Sequence, residues 1–137
     1  MSSALSQRDY RALADFRYAL RKFLGFSKEY LNKQAGLTPE QYEALLALKA
    51  FAGSAGLLVG QLSERLQVKH HTTVSLTDRL VEQGLVTKKR SGEDRRHAYV
   101  KLTSAGSALL ASLAQPHRRE LRGRSDEIVD ALKRLSK

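Results

Sequence analysis

His70, His71, Thr72, Ser75 and Arg79 offer imidazole, hydroxyl and guanidinium groups at spacings that gather on one side of a helix, from which each can reach a phosphate or a base edge. A few residues on, Lys88, Lys89 and Arg90, and then Arg95 and Arg96 beside Asp94, form a second basic group. On a projecting loop, one such arginine can enter a minor groove while the other cations hold phosphates. Taken alone, 88–90 reads equally well as an edge strand protected by charge. Catalysis has no comparable footing, because no nucleophile, base and orienting group fall in a pattern and no Gly-rich loop would cradle a phosphate. The four histidines, at 70, 71, 97 and 117, form no chelating pair on one helix face, and there is no cysteine to add a thiolate. We therefore expect no enzyme, no metal and no cofactor.

The elements that must hold these groups follow from periodicity. From about residue 6 to 34, Leu13, Phe16, Leu20, Phe23, Leu24, Tyr30 and Leu31 recur every three or four positions, which predicts a long amphipathic helix with length to spare for an oligomer interface. Thr38 with Pro39 and Gln41 is a capping box that starts a second helix, apolar at Tyr42, Leu45, Leu46 and Leu48 and broken by the glycines at 53 and 56. A short helix over 59–66, a turn at 67–69 and a helix over 70–83 that stops at Gly84 come next. On that last helix, Thr73, Leu76, Thr77, Leu80 and Val81 should face the core, leaving His71, Thr72, Ser75, Asp78, Arg79 and Glu82 outward. The period then changes to two, giving strands over 86–90 and 97–102 around a charged loop at 91–96. Thr103 caps a further helix that Pro116 should end or kink near Gln115, and a short closing helix should start at Ser125.

The fold class expected is mainly α with a small β-hairpin wing: a winged helix-turn-helix (37–103) between an N-terminal dimerisation helix (1–36) and C-terminal dimerisation helices (104–137). Its second helix would lie in the major groove. Charge agrees with this division. The 137 residues hold 24 Lys and Arg against 14 Asp and Glu, a formal charge of +10. By segment the net charge is +4 over 1–34, −1 over 35–68, +4 over 69–103 and +3 over 104–137, so the helices behind the binding unit are almost neutral. Such a balance favours a polyanionic partner. No run is long and apolar enough for a membrane span or signal peptide, so a cytoplasmic protein without membrane contact is expected.

At these residues the sequence resembles the multiple-antibiotic-resistance-regulator (MarR) family of bacterial transcription factors. The likeness is close over residues 37–106, in "LTPEQYEALLAL", "VGQLSERLQV" and "LTDRLVEQGLVTKKRSGEDRRHAYVKLTSAG", and looser in the long first helix and the terminal helices. It implies that 70–83 is the recognition helix and 91–96 the wing. Arg95 matches the family's minor-groove arginine, and Asp94 the acidic neighbour that steadies the wing. It also implies a homodimer on a pseudo-palindromic operator in double-stranded DNA, acting as a repressor, and response to a small aromatic or anionic effector. Tyr10, Phe16 and Tyr42 are the aromatic candidates for an effector pocket, although aromatics at helical spacing more often form core or interface. This sequence departs from the family where many members carry Thr-Arg, having Val74-Ser75, and His70 and His71 open the helix instead. Protonation of these two near an ordinary pKa of about 6.5 would strengthen phosphate contacts. The alternative is a basic RNA-binding or protein-adaptor module using a winged helix.

Overall fold

The computed structural model describes residues 4–91 and 94–135, with backbone alone at 91 and 94–96. The helix α1 (Gln7–Ala35) starts at a capping box in which the Ser6 hydroxyl accepts from the Asp9 N–H while the Asp9 carboxylate accepts from the Ser6 N–H. It ends at Gly36, whose φ of 63° is the left-handed conformation that favours glycine at a helix C-terminus. Thr38 and Gln41 cap α2 (Pro39–Phe51) in the same reciprocal way, as expected from their spacing. A tight turn at 53–56 leads into β1 (Leu57–Leu58), α3 (Val59–Leu66), α4 (His70–Glu82), β2 (Val86–Ser91), β3 (Asp94–Leu102) and α5 (Ser104–Arg134).

The three strands form one antiparallel sheet in the order β1-β3-β2. The two long strands were legible from their alternation. β1 was not, because two residues are too few to show a period, and it exists through its pairing of Leu57 with Val100 and Leu58 with Tyr99. The strands also extend beyond the expected ends, so that Ser91 pairs with Asp94 after a register shift at Arg90/Ser91. Inward residues of the sheet and of all five helices meet in one core, built around Leu31, Leu45, Leu48, Leu62, Leu80, Val86, Val100 and Leu110. The Leu-Thr-x-x-Gly run at 102–106 ties α5 to this core. The Thr103 hydroxyl donates to the Gly84 carbonyl (2.7 Å) and accepts from the Gly106 N–H (3.0 Å), while Gly106 lies so close to the Leu85 carbonyl that no Cβ would fit.

Three expectations need correction. First, Pro116 neither ends nor interrupts α5, which runs through it for 31 residues, so there is one C-terminal helix and not two. Pro116 removes one backbone bond, but beyond it α5 is held along α1 by Lys22–Glu127 (2.9 Å), Arg134–Asp15 (2.8 Å) and buried Ala131, and before it Leu110 and Leu113 are buried in the core. Ser125, expected as a cap, is inside the helix and donates to the Arg122 carbonyl. Second, the face that α1 buries is not its leucine stripe but its small residues Ala12, Ala19 and Ser27, with Asp9 and Leu31. Small side chains allow two long helices to approach closely, and Leu13, Leu20 and Leu24 are left exposed. Third, Val81 is 39% exposed and lies at the edge of the α4 core face, and Leu46 of α2 is likewise outside the core.

Candidate nucleic-acid interface

α4 buries Thr73, Leu76, Thr77 and Leu80. The two threonines enter an apolar core without leaving a polar atom unpaired, since Thr77 Oγ1 donates to the Thr73 carbonyl (2.8 Å) and Thr73 Oγ1 to the Lys69 carbonyl (3.3 Å). Their burial fixes the rotation of the helix. His70, His71, Thr72, Ser75, Asp78, Arg79 and Glu82 are consequently all exposed together. No side chain caps the N-terminus of α4. Its first N–H groups therefore remain available to an oxyanion, beside two imidazoles and a hydroxyl.

Of the two acidic residues on this face, Asp78 and Glu82, the first has a partner in the sheet. Lys88 pairs with Val100 on the inward side of β2, and its Nζ donates to Asp78 Oδ1 at 2.9 Å. The lysine side chain is only 19% exposed, so it is drawn against α4 and away from solvent. Sequence reasoning grouped Lys88 with the phosphate-binding cations, whereas here it anchors the wing to the helix. Lys89 and Arg90 are exposed on the strand as expected. The side chains of Asp94, Arg95 and Arg96 lie outside the described residues; the backbone of all three belongs to β3, at the end of the hairpin.

The three aromatic candidates for an effector pocket are not brought together. Tyr10 is exposed on α1, Phe16 is half-buried on the same helix, and Tyr42 is buried. None of them lines a described cavity. Burial raises the Tyr42 phenol above its ordinary pKa and so keeps it neutral. What Tyr42 stacks on is His117, at 4.5 Å between ring centroids and 18° between planes. This histidine is buried, with the rings of Phe23, Phe26 and Tyr30 packed edgewise around it. A carbonyl only accepts, so Nδ1–H donates to the Leu113 carbonyl (2.7 Å), the tautomer in which Nε2 accepts from the Ser27 hydroxyl (2.8 Å). Sequence reasoning missed this group. Its only trace was the aromatic spacing around Ser27 on α1.

Among the described residues, no group of three or more His, Asp or Glu could hold a metal ion. No helix among the described residues is long and apolar enough to cross a membrane.

A helix-turn-helix whose second helix is flanked by a basic hairpin defines a winged-helix protein. The MarR family model matches residues 35–97, and over those residues the chain is similar to that family. It is similar to the organic hydroperoxide resistance transcriptional regulator of Bacillus subtilis (strain 168), 35% identical over 85 residues that make up 61% of this chain and 56% of that protein. It is also similar to the HTH-type transcriptional repressor MdtR of the same organism, 33% identical over 78 residues, 57% of this chain and 48% of the relative. The chain thus matches about half the length of these relatives. Both relatives are named as transcriptional regulators. Among solved structures, the fold matches that of Sco3205, a MarR family transcriptional regulator from Streptomyces coelicolor in complex with DNA, with a TM-score of 0.77 at 18% identity over 90% of this chain and 77% of that one.

Proposed function

We propose that the chain is a transcriptional regulator that binds double-stranded DNA as a homodimer, occupies a pseudo-palindromic operator and represses by blocking promoter access. The observation that carries this reading is the exposed, uncapped N-terminal face of α4, set beside a basic wing that Lys88 ties to the same helix. Phosphate neutralisation would supply most of the affinity, and side chains of α4 the sequence preference. Repression is the role carried in the name of the MdtR relative. The homodimer is supported by apolar side chains left uncovered on α1 and α5, among them Leu20, Leu24, Val129 and Leu132. A regulator of this kind would work in the cytoplasm.

The regulator would respond to a small aromatic or anionic effector. The chemistry suggested by the name of the hydroperoxide relative finds no thiol here, because these 137 residues contain no cysteine. Selection of bound fragments from genomic DNA tests the core of the proposal. A two-fold-related motif should emerge; enrichment of RNA over duplex DNA would favour the basic adaptor instead. On the recovered operator, Arg95→Ala should cost about 1–3 kcal/mol and relax the A·T preference beside each half-site. Equal binding by variant and wild type would reject the wing assignment.

A further inference from the structure

The side of the wing sheet turned away from the core has a shape and charge that neither α4 nor the hairpin end accounts for. Thr87 and Lys89 of β2 and Tyr99 and Lys101 of β3 point to this side, with Thr87 opposite Lys101 and Lys89 opposite Tyr99. The 53–56 turn rises over β3 at the far edge. Gly53 and Gly56 are bridged, and Gly56, at φ 94°, sits so close that a Cβ would collide with the Val100 carbonyl and the Lys101 side chain. The turn is therefore fixed against the strand. Between it and β2 runs a half-open trough of about 520 Å³, lined by Ser54, Thr87, Lys89, Arg90, Tyr99 and Lys101, together with Ala55 at the turn.

Lys89 and Lys101 point into this trough, Arg90, whose position alternates to the inward face of β2, borders it, and no carboxylate lines it. Among the described residues, Lys89, Arg90 and Lys101 have no acidic partner, whereas Lys22, Lys88, Arg124 and Arg134 each have one. Lysines at diagonal positions of an antiparallel pair stand about 7–8 Å apart, which suits successive phosphates better than a single point charge. A trough open along one side also buries too little of a small molecule, since compact ligands typically lose about 70–90% of their surface. An extended polyanion lies along such a surface without that requirement.

We propose that this outer face of the wing sheet is a second DNA-contacting surface, on which Lys89 and Lys101 hold backbone phosphates of the duplex flanking the base pairs that α4 reads. The inference rests on the DNA-binding reading above. It adds Lys101, and Ser54 as a neutral hydroxyl donor, to the interface, and it makes the wing a side-on clamp as well as a tip.

The test compares the shortest selected operator with the same operator extended by about one helical turn, roughly 10 base pairs, of arbitrary sequence on each side. Wild type should bind the extended duplex about three- to tenfold more tightly at low salt, by phosphate contact alone. Lys89→Gln/Lys101→Gln, which removes both charges and keeps most of each apolar stem, should lose that gain. Its log affinity against log salt should be shallower by about 0.9 for each contact removed, with the ratio of operator to random-sequence binding unchanged. The single variant Lys101→Gln should lose part of the gain. Retention of the full gain and slope by the double variant would overturn the proposal. So would a loss confined to the short operator with the slope intact, the mark of a disturbed α4. Failure of the wild type to bind any duplex would instead remove the regulator reading and, with it, this one.

Discussion

The imidazole of His117 joins three helices through contacts that no stretch of sequence announces. Its partners are Leu113 on its own helix, Ser27 on α1 and the ring of Tyr42 on α2. Removing it opens a space among Phe23, Phe26, Tyr30 and Tyr42 and leaves the Ser27 hydroxyl without its acceptor. His117→Ala should destabilise the protein by about 2–4 kcal/mol. Ser27→Ala, which leaves Nε2 buried and unpaired, should cost about 1–2 kcal/mol. Urea unfolding at one fixed protein concentration measures both, and a change within about 0.5 kcal/mol for His117→Ala would mean that the ring contributes nothing to the junction. Residues with local work were easier to read. Thr38, Gln41 and Thr103 act on N–H groups three positions away, so spacing alone declares them, whereas Ser27 and His117 are 90 positions apart.

Among the elements, α4 and the wing form a unit because Asp78 and Lys88 connect them. The outward face of α4 was legible, since a helical period sorts side chains into two sets. The bridge was not, since it links a helix to a strand whose inward face places Lys88 beneath the expected phosphate surface. Pro116 was misread for a related reason: a local rule breaks a helix, but α5 is anchored by buried Leu110 and Leu113 before the proline and by its ion pairs to α1 after it. The bridge is partly exposed, so it should contribute no more than about 1 kcal/mol to stability. Its consequence lies in positioning. Asp78→Asn should release Lys88 to solvent, raise affinity for random-sequence duplex severalfold and steepen the salt dependence. The preference for the operator should fall, because the wing is no longer held in register with α4. Equal increases on operator and random duplex would show that Asp78 only repels DNA and positions nothing.

At the scale of the molecule, the +10 charge and the uncovered apolar faces raise one question, which is how a 137-residue chain distributes binding between two partners. The basic segments fall in α1, in the α4 and wing region, and in α5. Among the described residues, most of the exposed leucines and valines fall on α1 and α5, while α2 and α4 expose one each, Leu46 and Val81. A dimer formed through α1 and α5 would bury the apolar faces, double the charge and present two copies of α4. Two half-sites engaged together bind far more tightly than one, because the second contact is made at high effective concentration. Leu24→Asp places a carboxylate on this face at a position that is 49% exposed in the single chain, so the chain itself should still fold with unchanged helical circular dichroism. Sedimentation should then show a monomer where wild type sediments as a dimer, and operator affinity should fall by about 10²-fold or more, well beyond the loss of any single phosphate contact. Half-site affinity, measured on a duplex carrying one arm of the palindrome, should be nearly unaffected. A variant that stays dimeric would move the interface off this face of α1, and a monomeric variant with full operator affinity would show that the two-fold arrangement is not what binds the DNA.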